Sequence, residues 1–594
     1  MDERDIRRLL HRVRTGRLSR RGFVRTMVGL GLSVPLVSEM LASVGIAQAQ
    51  TRPAATPAKR GGGGALKALW WDAPNLLNPV LAVGLKDWNA GSLFYEPLVC
   101  FDPQANMVPI LAREVPSVAN GGVARDGTSV TWRLKRDVQW HDGKPFTAQD
   151  VVFNWEYAAD PATGAPTVGV FRNVKQVEAI DTHTVKFVFT QPTPYWLMTG
   201  PIIPRHIFEP YKGAKSREAP NNLKPIGTGP YRFVDFKPGD ILKTEINPTY
   251  HVSNRPFFDT VEIKGGGDAA SAARAVLQTG EYDYAAEVGG VEDDVLRRLE
   301  QGGKGTVRIA FGGRISHVQL NQSDPWTEVE GERSSAKSVH PFLTDPAVRN
   351  ALALLVDRAG IQEQILGRNG QVTANFVSAP ERFRSKNTRW EFNVDKANQL
   401  LDAGGWTRGA DGIRARDGKR LKMVLQAATN AVVQKMQAVI KQAAAKAGID
   451  IELKTVTPSS FYSSDPANPD TYTHFYADLQ LMVYVMGPPD PERLMRVFTS
   501  WEIASKANNW QKFNVWRFHN DEYDRLYKAG ETEMDPVKRA ALFIRMNDLV
   551  VQNGIVVPIM LLAKAAAVSN RLRGVEHNPF DLDFWNLPFW SREA

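Results

Sequence analysis

Residues 421–456 constrain the fold most. They read "LKMVLQA", then "NAVVQKMQAVIKQAAAKAG", then "IDIELKTV". The first run is apolar enough for a buried strand. The second repeats its apolar residues at helical spacing and ends at Gly448, a residue suited to the left-handed turn that closes a helix. In the third, Ile449, Ile451 and Leu453 alternate with polar neighbours. A strand, a crossover helix and a second strand imply parallel pairing, and with it an α/β lobe.

Other elements are legible on the same terms. In "VTWRLKR", Val130, Trp132 and Leu134 alternate with polar residues, and in "TVKFVFT" so do Val185, Phe187 and Phe189. Each run predicts a strand with one buried face. Between them, "TAQDVVFNWEYAAD" opens with Thr147 and Asp150 at capping-box spacing and predicts a helix burying Val151, Val152, Trp155 and Ala158. Asp142-Gly143 predicts a turn. Two more helices are predicted to start at Asp345-Pro346 and Asp535-Pro536, with Asp as the cap and Pro where no amide hydrogen is needed.

The 594 residues suffice for two or three lobes. The formal charge is +9, but residues 1–49 hold nine Arg against four Asp/Glu, which leaves +4 for the rest. No dense Lys/Arg stripe appears, so nucleic acid is not an expected partner. The first 49 residues read as an export signal. Arg20 and Arg21 precede an apolar stretch from about Met27 to Ile46, and Ala47 and Ala49 form a small-x-small cleavage site. The paired arginines resemble a twin-arginine signal. Residues 50–64 read as a linker, the mature chain is expected to begin at Gln50, and a periplasmic location follows. The single cysteine, Cys100, reads as a buried strand residue.

No G-x-S-x-G, H-E-x-x-H or C-x-x-C motif is present, and no two of the ten histidines stand at i, i+4. No enzyme activity, cofactor or metal is expected.

Several separated segments resemble the family 5 extracellular solute-binding proteins of ABC importers, which include receptors for oligopeptides, dipeptides, nickel complexes and opines. They are "LKRDVQWHDGKPFTAQDVVFNWE", "IGTGPYRFVDFKPGD", "NPTYH" with "FFDTVEIK", "LQTGEYDYA", "DPAVRNALALLVDRAGI", "DKANQLLDAGGW" and "HNDEYDRLYKAG". They run in family order over nearly the whole mature chain. The resemblance implies an α/β, two-lobed periplasmic-binding-protein-like fold of type II, with an inserted subdomain and a hinged ligand cleft. The first lobe is expected over 62–100, 202–316 and 556–594, the inserted subdomain over 101–201 and the second lobe over 317–555. His141, in a turn similar across the family, is expected to be structural. The implied function is a periplasmic receptor, a monomer, that delivers a peptide-like or other small organic solute to an inner-membrane ABC permease. An exported enzyme on the same fold and a receptor for a nickel or iron chelate are the alternatives.

The resemblance also points to a binding region. Trp501, Trp510 and Arg517 belong to a segment expected to reach the cleft, and Trp88 and Tyr95 are their counterparts in the other lobe. Arg384 could pair with a carboxylate. Peptide-binding members carry Asp-x-x-Asp/Glu-Pro at the end of the strand that here reads "LMVYVMGPPDPERL", and the first acid holds the peptide's α-amino group. This chain keeps Asp490-Pro491 and has Gly487 in the first position. Tyr484, Gly487 and Asp490 are therefore candidates. A glycine supplies no counter-charge, and a buried ammonium without one is costly. Either the solute carries no free α-ammonium at that spot, or another acid such as Asp490 or Glu502 substitutes.

Overall fold

The computed structural model describes residues 59–194, 200–463 and 465–593, with isolated residues among the first 27. The expected export signal, its cleavage site and most of the linker lie outside the described residues. Among the described residues no helix is long and apolar enough to cross a membrane. The chain forms two compact units. One comprises Met1–Ala310, Thr532–Val537 and Lys564–Ala594, the other Phe311–Glu531 and Lys538–Ala563.

The first unit runs β1 (Ala65–Trp70), α1 (Leu85–Gly91), β2 (Ser129–Arg133), α2 (Ala148–Ala159), β3 (Val174–Asp181), β4 (Thr184–Phe189), β5 (Tyr231–Lys237), β6 (Ile241–Ile246), β7 (Thr260–Gly265), α3 (Ala269–Leu277), β8 (Tyr284–Ala285) and α4 (Asp293–Glu300). Its larger sheet has the order β8-β1-β7-β6-β5. β1 is parallel to both neighbours, with Ala65 opposite Thr260 and Ala68 opposite Tyr284. Trp70, Tyr95, Tyr231, Tyr284, Phe584 and Trp590 fill its core. A separate antiparallel sheet, β2-β4-β3, sets Val130 opposite Phe187 and Trp132 opposite Val185. Those four side chains are buried, as period-2 alternation predicts.

Helix α2 starts as expected, with the Asp150 carboxylate accepting the Thr147 N–H at 2.9 Å. Its buried face differs from the expected one. Asn154 and Tyr157 join Val151 and Ala158 inside, while Val152 and Trp155 are half-buried. Apolar periodicity missed Asn154 because its burial depends on a distant partner: its Oδ1 accepts the Ile203 N–H at 3.2 Å.

The "GTGPY" stretch is a close backbone approach. A Cβ at Gly227 would lie 1.8 Å from the Phe94 carbonyl oxygen, so only glycine fits. His141 braces it. Its Nδ1 accepts the Gly227 N–H at 3.2 Å, and its Nε2 meets the Gly229 carbonyl at 3.0 Å. That pairing requires the neutral ring with its proton on Nε2. Burial pushes the His141 pKa down to about 4.

The second unit holds, in whole or in part, β9 (Gly305–Leu320), α5 (Pro346–Leu354), β10 (Gly370–Val372), α6 (Val394–Ala403), β11 (Lys422–Ala428), α7 (Ala431–Lys446), β12 (Asp450–Val456), β13 (Leu479–Met486), α8 (Glu492–Arg496), α9 (Asp521–Thr532), α10 (Pro536–Gln552) and β14 (Val556–Ser569). β11, α7 and β12 form the parallel βαβ unit read from the sequence, with Lys422 opposite Asp450. The order β12-β11-β13-β9 completes the sheet of this unit, β13 running antiparallel to β9. The cap at Asp345 forms as expected, its carboxylate accepting the Ala347 N–H at 2.8 Å, and Asp535 does the same for Val537 at 2.9 Å. One face of the sheet, with Val318, Leu320, Met423, Leu425, Leu479 and Leu481, belongs to a core that also takes side chains from α5, α6 and α7. Each such buried leucine contributes about 1.5–3 kcal/mol.

Candidate functional site

The opposite face of that sheet carries a buried polar row. His317 and Gln319 on β9, Gln480 on β13 and Gln426 on β11 form one hydrogen-bonded row. Gln426 Nε2 donates to Gln480 Oε1 at 2.6 Å, and Gln480 Nε2 donates to Gln319 Oε1 at 2.6 Å. Gln319 Nε2 then meets His317 Nε2 at 3.3 Å, and His317 Nδ1 meets the Ile315 carbonyl at 3.2 Å. Every donor in the row points the same way. Satisfied in this manner, a buried polar row fixes strand register and leaves the ring neutral. Burial pushes the His317 pKa down to about 3.

Aromatic rings cover the row. Tyr484 lies 4.9 Å from the His317 ring and 6.0 Å from Trp516, and Phe376 lies 5.0 Å from His317. Burial raises the Tyr484 hydroxyl above its ordinary range, so it remains a neutral donor at physiological pH.

His141 and His317 both stay neutral in the fold, whereas the unfolded chain protonates histidine near pH 6.5. The unfolded state therefore binds more protons between about pH 6.5 and 4, and stability rises with pH across that window. Thermal unfolding followed from pH 7.5 to 4.5 should show a falling midpoint. His317→Gln should flatten that slope, corresponding to about one proton fewer taken up on unfolding.

Beyond β13 the chain turns at Gly487. That glycine is exposed, and a Cβ built on it meets nothing within 4 Å. Asp490, three residues on, is only 8% exposed. Both its oxygens are taken by the Arg539 guanidinium from α10, with Arg539 Nη2 to Asp490 Oδ1 at 2.9 Å, and Oδ1 also accepts the Glu492 N–H at 2.9 Å. The other substitute acid, Glu502, is 1% exposed and faces Arg496 at 2.6 Å and Lys512 at 3.8 Å. Each of the two acids that could replace a carboxylate at 487 is thus already neutralised.

The remaining candidates of this unit fall into three further groups. Trp501 packs edge-on to Tyr527 at 5.7 Å, beneath the Lys528 ammonium at 5.2 Å. Tyr527 donates to Glu492, which ties Trp501 to the corner of Asp490. Trp510 lies over the His474 ring at 4.0 Å, and Arg517 donates to the His474 carbonyl at 3.0 Å. Arg517 holds a positive φ of 56°, and burial pushes its pKa down to about 10. Arg384 is exposed and lines a hollow of ≈ 570 Å³ together with Thr373, Asn375, Lys386, Arg389 and Trp390. The adjacent turn reaches the corner, since Arg382 donates to the Pro489 carbonyl at 3.0 Å.

In the first unit, Trp88 is half-buried on α1, its indole donating to the Pro79 carbonyl at 3.2 Å. Tyr95 is fully buried among the aromatic residues of that unit's core. Sequence reasoning missed the glutamine row and Arg539. The available signal was Gln at alternate positions of otherwise apolar strands, in "HVQLN", "LQLM" and "VLQAA". Among the described residues no cluster of three or more His, Cys, Asp or Glu could hold a metal ion.

Comparison with known proteins follows the same outline. The model of the family described as bacterial extracellular solute-binding proteins, family 5, middle, matches residues 106–506. The oligopeptide-binding protein AppA of Bacillus subtilis is 26% identical over 534 residues, covering 87% of this chain and 89% of that protein. Its structure in complex with a nonapeptide superposes with a TM-score of 0.68 at 23% identity, over 90% of this chain and all of that one. NikZ of Campylobacter jejuni, in complex with Ni(L-His), gives 0.70 at 23% identity over 89% of this chain and 99% of NikZ. AgaA of A. tumefaciens R10, in complex with agropinic acid, gives 0.66 at 19% identity over 89% of this chain and 99% of AgaA.

Proposed function

The chain belongs to the bacterial extracellular solute-binding proteins of family 5, and from that premise we propose that its solute presents no free α-ammonium at Gly487. The protein is a solute-binding receptor for an ABC importer. It acts by binding and release, and it takes a blocked peptide, an opine-like conjugate or another small organic solute. It reaches the periplasm through the twin-arginine signal of residues 1–49, is cleaved after Ala49 and hands its solute to a dedicated permease.

One observation carries the choice of solute. The acid at 487 is absent, and both candidate substitutes, Asp490 and Glu502, are held by cations of the protein itself. An ammonium brought to this corner would meet no unclaimed carboxylate from either residue, and its desolvation would go uncompensated. The relatives leave room for such a solute. AppA is seen with a nonapeptide, AgaA with agropinic acid and NikZ with Ni(L-His).

The test is a matched pair. Short peptides and their N-acetylated forms, together with opine-like conjugates, are titrated against thermal unfolding. A true solute stabilises by about 2.7 kcal/mol at one hundred times its Kd. Blocked or conjugated members should stabilise, and their free-amine counterparts should not. Equal stabilisation by both members of a pair would remove the basis of the proposal.

A further inference from the structure

We propose that the hollow at the end of the β2-β4-β3 sheet, lined by Arg113, Arg136 and His251, is a binding site for a small oxyanion bearing a phosphate or carboxylate group. The hollow has a volume of ≈ 390 Å³ and lies between the residues that follow β2 and the β3–β4 turn. That volume falls within the range of small-molecule sites. It involves none of the residues assigned above to the transported solute.

The charge balance of the hollow is positive. Arg133 is matched by Glu114 at 2.8 Å. Arg113 and Arg136 are exposed and make no ion pair among the described residues, and Lys135 adds to the cationic side. Two carboxylates also line the hollow. Asp181 accepts the His183 N–H at 2.7 Å and keeps its charge, so the four Lys/Arg side chains of the hollow face Asp137, Asp181 and the Glu114 partner of Arg133.

His251 is the second, independent sign. Its side chain is 4% exposed, and Nε2 is fixed on Glu96 at 2.9 Å. Glu96 is itself buried and accepts from the Tyr250 hydroxyl at 2.8 Å and the Thr228 hydroxyl at 2.9 Å. Burial alone would raise the Glu96 pKa, but the facing His251 and these hydrogen bonds bring it below its ordinary value. A carboxylate at Nε2 keeps the proton there. The other nitrogen, Nδ1, is buried without a partner among the described residues, and a polar atom left so is costly until something takes it. An oxyanion that carries an O–H, such as hydrogen phosphate, would satisfy it: the O–H donates to Nδ1, while the two arginine forks match the remaining oxygens.

The test is calorimetric titration of the full chain with inorganic phosphate and with citrate, alongside vesicles containing phosphatidylglycerol. Saturable binding of one or both free anions is expected, weakening with added salt. Arg113→Ala and Arg136→Ala should each reduce it roughly tenfold or more, as loss of a charge-assisted hydrogen bond does. Both arginines are exposed, so the variants should fold. Lys441→Ala, an exposed change on α7 in the other unit, should leave anion binding unchanged. Three results would overturn the inference: no binding of either anion at millimolar concentration, binding undiminished in the Arg113→Ala/Arg136→Ala double variant, or binding to vesicles alone.

Discussion

Asp490→Ala should lower the free energy of unfolding by about 3–5 kcal/mol, the range seen when one partner of a buried ion pair is removed. The cause is the guanidinium left behind. Arg539 is 6% exposed, and besides Asp490 its Nε donates to the Gly530 carbonyl at 3.0 Å. Without Asp490 the buried guanidinium keeps its desolvation penalty and loses both hydrogen bonds to that carboxylate. Removing both members together, in Asp490→Ala/Arg539→Met, should cost much less than the two single changes combined, because no buried charge then remains unpaired. Urea unfolding of the four proteins of this cycle reads the coupling directly. A single Asp490→Ala variant as stable as the parent would mean that the corner does not depend on this pair.

Gly487→Asp should add affinity for peptides with free amino termini. The position is open, with no atom within 4 Å of a new Cβ, and its φ is outside the left-handed region. The variant should therefore fold with little change in stability. A carboxylate there would supply the missing counter-charge, and one charge-assisted hydrogen bond to an ammonium gives roughly 10- to 100-fold in affinity. Titration of a panel of free-amine peptides against parent and variant checks this. Solutes with a blocked amine should show no gain. No gain for any free-amine peptide would mean that position 487 is not where the family's amino-binding acid belongs.

What the sequence made legible was local or periodic. The βαβ unit, the alternating strands and the Asp-Pro caps depend on neighbours a few residues apart. Asp490, ahead of Pro491, was visible in the sequence as a candidate acid. Its partner could not be read, since Arg539 lies 49 residues away on α10. The glutamine row is hidden for the same reason: Gln319 and Gln480 meet only because β9 pairs with β13, across 161 residues. Taken singly, each glutamine resembles an ordinary polar residue of a half-exposed strand. Aromatic residues were hardest to place, because a tryptophan or tyrosine in a core and one at a binding surface have the same local sequence. Tyr95 lies wholly within a core, whereas Trp501 remains 37% exposed on a short turn tied to the corner of Asp490.

The central claim is that this receptor takes a solute without a free α-ammonium at Gly487. It is tested most directly by native mass spectrometry of the protein purified from cells that express the full 594-residue chain, followed by release of the bound solute and reaction with an amine-labelling reagent. The account predicts a bound small organic solute that does not react. Release of unmodified peptides that label at their amino termini would contradict it.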